Sequence, residues 1–314
     1  MVIDFQSGLW LPADRIKRSF VKYANPNESP GTVWQYAPEN LPVTVSVVIP
    51  TFDACRNGYF LKLLDQLNRQ SFKHFEIIVV RGDPRQGRAI NIGVAIARGA
   101  YIMTLDDDTS LSDPDTFHKL VAVMEAHPKI GIAGGNNVIP QDAKPFIRRV
   151  MKEIPRRSWE PVQSITESDL AEHPCMIMRT SEFKRVGGEN ELIPRGLDPY
   201  LREEFRKLGR RVVVVPEVEY HHLPPTNLNK LLRQFFRNGR QAAYTNRNYP
   251  QWVIETPSAH GPFKTHIALP LRILRFPIRL LKAFIIGKYI WFFCELAYAL
   301  GFAGDLLLRG SKQK

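Results

Sequence analysis

Cysteine is scarce in this chain: three among 314 residues, Cys55, Cys175 and Cys294, far apart and with no CxxC pair. That excludes a disulfide framework and a cysteine-based zinc site, and it suits a reducing compartment. No basic segment leading into a long apolar run occurs at Met1-Val2-Ile3-Asp4-Phe5, so no secretory leader is expected there. No glycine-rich turn follows the first apolar run, where Pro50-Thr51-Phe52-Asp53 stands instead, and this excludes a nicotinamide-dependent oxidoreductase. Acidic residues are in deficit, 31 Asp and Glu against 43 Lys and Arg, for a formal charge of +12. Such an excess favours an anionic partner: lipid surface, nucleic acid or phosphorylated substrate.

Apolar residues make up 44% of the chain, enough to fill a core. From Val43 onward short apolar runs alternate with helical spacing. Val45-Ser46-Val47-Val48-Ile49-Pro50 and Glu76-Ile77-Ile78-Val79-Val80 have the character of strands buried on both faces; Ala100–Leu105 and Ile130–Ala133 follow. Between them Phe60, Leu63, Leu64 and Leu67 recur at helical spacing, residues 88–98 look helical, and Asp113-Pro114 opens a helix with Phe117, Leu120, Val121 and Met124 on one face. The alternation predicts an α/β domain with a doubly wound, mostly parallel sheet, in which ligands bind at the carboxyl ends of strands. Residues 139–175 carry few periodic signals and are expected to form long loops. Further helices are predicted from Asp198 to Leu208 and from about Asn227, with a strand at Arg211–Val215 between them. The helix after Asn227 sets Leu228, Leu231, Leu232, Phe235 and Phe236 against a basic face of Lys230, Arg233, Arg237 and Arg240.

Asp106-Asp107-Asp108 stands at one of the strand ends. Adjacent carboxylates after a buried strand are costly unless a cation or hydrogen-bond donors offset them. Magnesium and manganese are held by carboxylates together with substrate phosphates, and histidine joins carboxylates around manganese. The plain alternative is a solvated acidic turn capping the next helix, and the strand-end position favours the metal.

The last segment, 261–314, holds nine Lys and Arg against Glu295 and Asp305. Arg272, Arg275, Arg279 and Lys282 form a stripe beside Leu271, Ile273, Leu274, Ile278, Leu280 and Leu281, as a helix lying in an anionic membrane surface requires. Pro277 is expected to kink or split it. Ala283–Gly304 is apolar and aromatic but interrupted by Lys288 and Glu295, whereas a span wants about 20 apolar residues with few charges. Interfacial insertion is therefore preferred to a single span, with core or dimer-interface helices as the third reading. Cutting near residue 262 should then leave a soluble catalytic domain.

Several blocks in order resemble one family. Val47-Val48-Ile49-Pro50-Thr51-Phe52, Phe75–Val80, Asn91–Gly99, Leu105-Asp106-Asp107-Asp108, Val186–Glu191, Gly196-Leu197-Asp198-Pro199-Tyr200-Leu201 and Gly209–Pro216 are similar to the inverting GT-A glycosyltransferases of family 2, over roughly residues 43–245. The resemblance implies transfer of a sugar from a nucleotide-diphosphate donor with Mn2+ or Mg2+. It places Thr51, Asp106, Asp107, Asp83, Arg88 and Arg237 at the donor and Asp108 on the metal. His222, or its neighbour His221, completes the metal site, and Asp198 is the catalytic base. The basic face of Arg233, Arg237 and Arg240 corresponds to the family's positive segment near the diphosphate; a solvated or lipid-facing role is the alternative. Two departures stand out. Arg81-Gly82-Asp83 follows the second strand where the family has aspartate directly, and Leu197 replaces the first member of the acidic pair that ends in the base. For Asp198 a helix-capping role, and for the histidines a surface role, are the bland alternatives.

The expected organisation is an N-terminal extension (1–42), a GT-A catalytic domain (43–225), a basic helix and connector (226–260) and a membrane-associated tail (261–314). Expected partners are the nucleotide-sugar donor, a glycan or lipid-linked acceptor and anionic lipid at the cytoplasmic face of the cell membrane. Nucleic acid is not expected, and a homo-oligomer is compatible with the pattern. A phosphotransferase of the haloacid-dehalogenase type fits less well, because its Asp-x-Asp follows the first strand and is followed by threonine, not Ser110. A non-catalytic basic module would explain the charge but not the buried aspartates.

Overall fold

The computed structural model describes residues 9–26, 31–37, 41–254, 260–261 and 269–308. The readings placed on Met1–Phe5, on residues 27–30, on Lys264, on Arg309, Lys312 and Lys314, and on the Arg272 side chain lie outside the described residues.

Strands and helices follow in the order β1 (Leu11–Pro12), β2 (Thr32–Tyr36), β3 (Val45–Thr51), α1 (Tyr59–Asn68), β4 (Phe75–Arg81), α2 (Gln86–Ile96), β5 (Tyr101–Thr104), β6 (Thr109–Ser110), α3 (Thr116–Ala126), β7 (Ile130–Asn137), α4 (Pro145–Glu153), β8 (Thr166–Glu167), β9 (Met176–Arg179), α5 (Thr180–Val186), α6 (Leu197–Lys207), β10 (Arg211–His222), α7 (Leu228–Asn248), α8 (Leu269–Ile285) and α9 (Tyr289–Leu308). They build one sheet in the order β1-β2-β4-β3-β5-β9-β7-β10-β6, with β8 beside β10. The pairs β3–β4, β3–β5 and β7–β10 are parallel, and β9 enters antiparallel between β5 and β7.

Continuous apolar runs are explained by burial on both faces. Along β3, Val45, Val47 and Ile49 join one core while Val48 joins the other. α1 and α3 cover the first face through Phe60, Leu63, Leu67, Phe117, Leu120 and Met124. α2, α5 and α6 cover the second through Ile90, Val94, Phe183, Leu201 and Phe205.

Four features depart from the sequence expectation. Within the N-terminal stretch, Thr32–Tyr36 joins the sheet antiparallel to β4, so part of that extension is built into the sheet. Residues 139–175 contain α4, which buries Ile147, Val150 and Met151 at helical spacing. The strand expected at Arg211–Val215 continues to His222 through a register shift after Val214. Pro277 does not split the tail helix: α8 runs through it, with Pro277 on an exposed face.

The tail is also less separable than its composition suggests. Val150 and Ile154 from the α4 region, Leu231 from α7, Ala283 from α8 and Ile290, Trp291 and Cys294 from α9 form one buried cluster. α7 and α9 touch backbone to backbone, since a methyl added at Gly239 would stand 2.0 Å from the Tyr298 carbonyl oxygen, and one at Gly301 2.0 Å from that of Phe236. Glu153 Oε2 caps α9 by accepting from the amides of Ile290 and Trp291 at 2.7 and 3.3 Å. Cutting near residue 262 would expose this cluster, so the truncated domain is expected to aggregate.

Candidate active site

The carboxyl ends of β3, β5 and β10 converge. Thr51 ends β3, the triple aspartate follows β5, and the antiparallel register pairs His222 with Thr109 and His221 with Ser110. Because successive side chains on a strand alternate faces, one of the two histidines must turn toward the aspartates and the other away. His222 is the inward one. Its Nε2 lies 3.1 Å from Asp108 Oδ1 and 3.8 Å from Asp106 Oδ2, whereas His221 Nδ1 donates to the Val138 carbonyl at 2.8 Å. Asp106, Asp108 and His222 each offer a ligand atom, all within 4.8 Å of one another.

The remaining donors around the cluster are specific. Thr51 Oγ1 donates to Asp107 Oδ2 at 2.7 Å, and Gln86 Nε2 to Asp106 Oδ1 at 2.8 Å. Arg56 Nε and its terminal nitrogen donate to Asp108 Oδ2 at 2.9 and 2.7 Å. Arg56 is presented by a left-handed turn in which Ala54, Arg56 and Asn57 have φ of 54, 45 and 56°, a conformation that non-glycine residues seldom adopt. No pattern in the sequence pointed to Arg56.

Burial and neighbours divide the three carboxyls. Burial, with the Asp108 charge beside it, pushes Asp106 up to about 7 despite the opposing pull of His222. Burial also raises Asp107. Asp108 is buried too, but His222 and Arg56 outweigh that and hold it far below the usual carboxylate range. Burial works against a charged His222, yet Asp108 and Asp106 raise it above the ordinary imidazole value.

Asp83 and Arg88 are spent on each other. Arg88 Nε donates to Asp83 Oδ2 at 2.6 Å and its terminal nitrogen to Oδ1 at 2.9 Å, with side chains 2% and 0% exposed for Arg88 and Asp83. Oδ1 also accepts from the Arg85 amide at 2.8 Å, so the pair braces the start of α2 from inside. Arg237 is exposed on α7, and no contact joins it to the aspartates among the described residues. Its charge is felt at Arg195, just before α6, which burial first of all pulls below its usual value.

Asp198 opens α6 after Gly196, whose φ of 86° is one that glycine adopts without strain. Its Oδ1 accepts from the His173 amide at 2.7 Å, and its side chain is 28% exposed. Burial pushes the carboxyl up, but the charges of His173 and Arg202 outweigh it and hold Asp198 below its ordinary value. Glu189 and Glu191, the next acidic candidates along the chain for a base, are both 0% exposed. Glu191 is held by Arg18, Asn25 and Asn91, so neither faces an acceptor.

Residues 81–185, the stretch that carries the triple aspartate, match the family model described as glycosyl transferase family 2. Among solved structures, the mannosyltransferase PcManGT from Pyrobaculum calidifontis in complex with GDP-Man and Mn2+ aligns over 87% of this chain and 89% of that one, at 14% identity and a TM-score of 0.53. S. aureus TarS 1-349 in complex with UDP-GlcNAc aligns over 66% and 67%, at 14% identity and a TM-score of 0.45. No curated protein sequence matches the chain. The family-model match includes the strand-end aspartates and the sheet is shared with the mannosyltransferase, so the chain is similar to family 2 glycosyltransferases in its motif region and has the GT-A type of fold.

Proposed function

We propose that the chain moves a sugar from a nucleoside-diphosphate sugar to an acceptor hydroxyl in one inverting displacement, assisted by a divalent cation. The observation that carries this is the pairing of two sites from separate elements: Asp106, Asp108 and His222 gathered at strand ends, and Asp198 at the start of α6. A buried and a half-buried carboxylate with an imidazole suit a hard or borderline divalent cation, and manganese or magnesium fits that donor set. The mannosyltransferase of similar fold is seen with GDP-Man and Mn2+, which supports the same ligand class here.

Asp108 and His222 would hold the cation, which when bound offsets charge gathering on the leaving diphosphate. Asp106 borders the same space and the nucleotide. Thr51 fixes Asp107 at the edge of the donor site. Asp198, ionised and tied to the His173 amide, takes the acceptor proton. The test is acceptor-free release of nucleoside diphosphate from a panel of UDP- and GDP-sugars, with manganese or magnesium and with excess chelator. One nucleotide class should turn over, and only with metal; no turnover anywhere on the panel would refute the proposal.

The tail supports a membrane-bound acceptor, lipid-linked or a polysaccharide precursor. On α8, Leu271, Ile273, Leu274, Ile278, Leu281, Phe284 and Ile285 are exposed together with Arg275, Arg279 and Lys282. α9 is long and apolar enough to cross a membrane. However, its acidic residues are bound by cations on α7 and α8: Asp305 by Arg247 at 3.4 Å and Glu295 by Arg279 at 2.5 Å. Together with the close α7–α9 contact this favours a monotopic attachment, with α8 in the interface of the cytoplasmic leaflet. In the full chain, replacing both Leu274 and Ile278 by Glu should weaken flotation with anionic vesicles by about 10-fold or more, since each side chain contributes about 1.5–3 kcal/mol on burial. High salt should weaken it only in part, because apolar burial survives screening. A wild-type chain that stays at the bottom of the gradient would rule the attachment out.

A further inference from the structure

We propose that His173 is the positioning residue of the catalytic base: it fixes the Asp198 carboxylate and supplies the positive charge that faces it, backed from inside by Glu189. This rests on Asp198 being the base.

The geometry is a buried line of contacts. His173 lies in the short turn His173–Cys175 that leads into β9 and is 2% exposed. Its amide donates to Asp198 Oδ1 at 2.7 Å, and its Nε2 stands 3.8 Å from that same oxygen and 3.0 Å from Glu189 Oε1. Its Nδ1 is 3.2 Å from Thr104 Oγ1, at the end of the strand that leads to Asp106. The ring is therefore tied at Nδ1 and stands within ion-pair distance of Glu189 at Nε2, and it spans the two halves of the site. Both contacts to Asp198 converge on Oδ1, so among the described residues Oδ2 lies outside this network and is left to the acceptor.

Glu189 explains why the ring carries charge. Its carboxyl is wholly buried, and among the described residues no hydrogen bond from another group reaches either oxygen. A buried carboxylate without a cation is strongly destabilising. Burial opposes a charged imidazole, but Asp198 and Glu189 outweigh it and raise His173 to about 9. The other charged or titratable groups around Asp198 are Arg202 on α6, Arg156 and Glu172 after α4, Arg195 before α6, Asp106 after β5 and Tyr220 on β10. Arg202 also serves the loop, donating to the Ala171 carbonyl at 2.6 Å and standing 3.7 Å from Asp169; Arg156 is paired with Glu172. His173 is the largest of the positive influences on Asp198 and touches it directly.

The test uses the full-length enzyme and the donor that turns over to water. His173→Gln keeps an amide nitrogen where the ring nitrogen stood and removes the charge. It should lower kcat about 10-fold at pH values on the acid limb. Because the facing cation depresses the Asp198 proton affinity, its loss should move the acid limb of the kcat profile up by about one pH unit. Donor KM, and binding of manganese alone followed by electron paramagnetic resonance, should stay within about twofold. Above the limb His173→Gln should regain most of the rate, whereas His173→Ala, which keeps the backbone amide bond to Asp198 but leaves the space beside it and Glu189 unfilled, should regain less. Where burying an unpaired Glu189 harms folding, the double variant His173→Gln with Glu189→Gln removes both charges and should show the same shifted limb. An unmoved limb in both variants, or a loss seen equally in donor KM and manganese binding, overturns the proposal. Wild-type turnover by Asp198→Asn would instead reject the base on which it rests.

Discussion

Asp108→Ala is expected to lose manganese binding by about 10²-fold or more, and with it turnover of the nucleotide-sugar donor. Even groups one shell removed from a metal typically contribute about 10–100-fold to its affinity, and Asp108 is the carboxylate that both His222 and Arg56 address. Removing it does more than delete a ligand: Arg56 and His222 would then face each other without the anion between them. His222→Ala should cost less, because the carboxylates and the donor phosphates still bind the cation. Calorimetric titration of manganese into the full chain, with and without nucleoside diphosphate, separates these outcomes. Full activity of Asp108→Ala in excess chelator would exclude the metal role altogether.

The same cluster fixes the pH dependence of that binding. Without metal, Asp106 is raised to about 7 by burial and by Asp108, and His222 is raised against burial by Asp108 and Asp106. A ligating imidazole must be neutral and a neighbouring cation favours an ionised Asp106, so metal binding would expel protons from both. Affinity should therefore rise as pH increases through about 7 and fall below it, the direction set by raised proton affinities. The ionised Asp108 does not add to this slope, because it is already deprotonated throughout the range.

What the sequence made legible follows from how local each signal is. β3 and β4 are continuous apolar runs whose burial on both faces is written in consecutive residues, so they could be placed almost to the residue. β2 could not: Thr32-Val33-Trp34-Gln35-Tyr36 earns its strand conformation from the edge that β4 offers, a partner far along the chain. β9 is four residues between a proline-containing turn and a helix, and its identity comes from the strands on either side. α4 did carry a signal, Ile147, Val150 and Met151, masked by Arg148, Arg149 and Lys152 on its outer face. In the site, the gathering of Asp106, Asp108 and His222 was legible because strand ends are where such sheets bind ligands. Arg56 and His173 were not, since each acts on carboxylates delivered by other elements, and nothing in their own surroundings marks them. Asp83 and Arg88 show the converse: residue types suited to a donor site, placed next to it, yet closed on each other within the fold.

Asp198→Asn is the variant that separates chemistry from binding. The substitution preserves the shape of the side chain and an oxygen that can still accept from the His173 amide, while removing the basicity. Asp198 lies outside the cluster of Asp106, Asp108 and His222, so donor and metal should bind almost as in the wild type. Transfer should fall by about 10²-fold or more, the scale on which loss of a general base is felt. In a single displacement the acceptor oxygen attacks the anomeric carbon opposite the leaving diphosphate, and its proton must leave on the acceptor side. A metal cation takes up no proton, so a carboxylate on the acceptor side is needed, and on the proposed reading Asp198 on α6 would supply it. Glu189 and Glu191 cannot substitute, being fully buried and turned inward. The stereochemistry supplies the second readout: an α-linked donor should give a β-linked product, resolved by proton NMR of the anomeric coupling. Near-normal transfer by Asp198→Asn would move the base elsewhere, and a retained anomeric configuration would reject the single displacement itself.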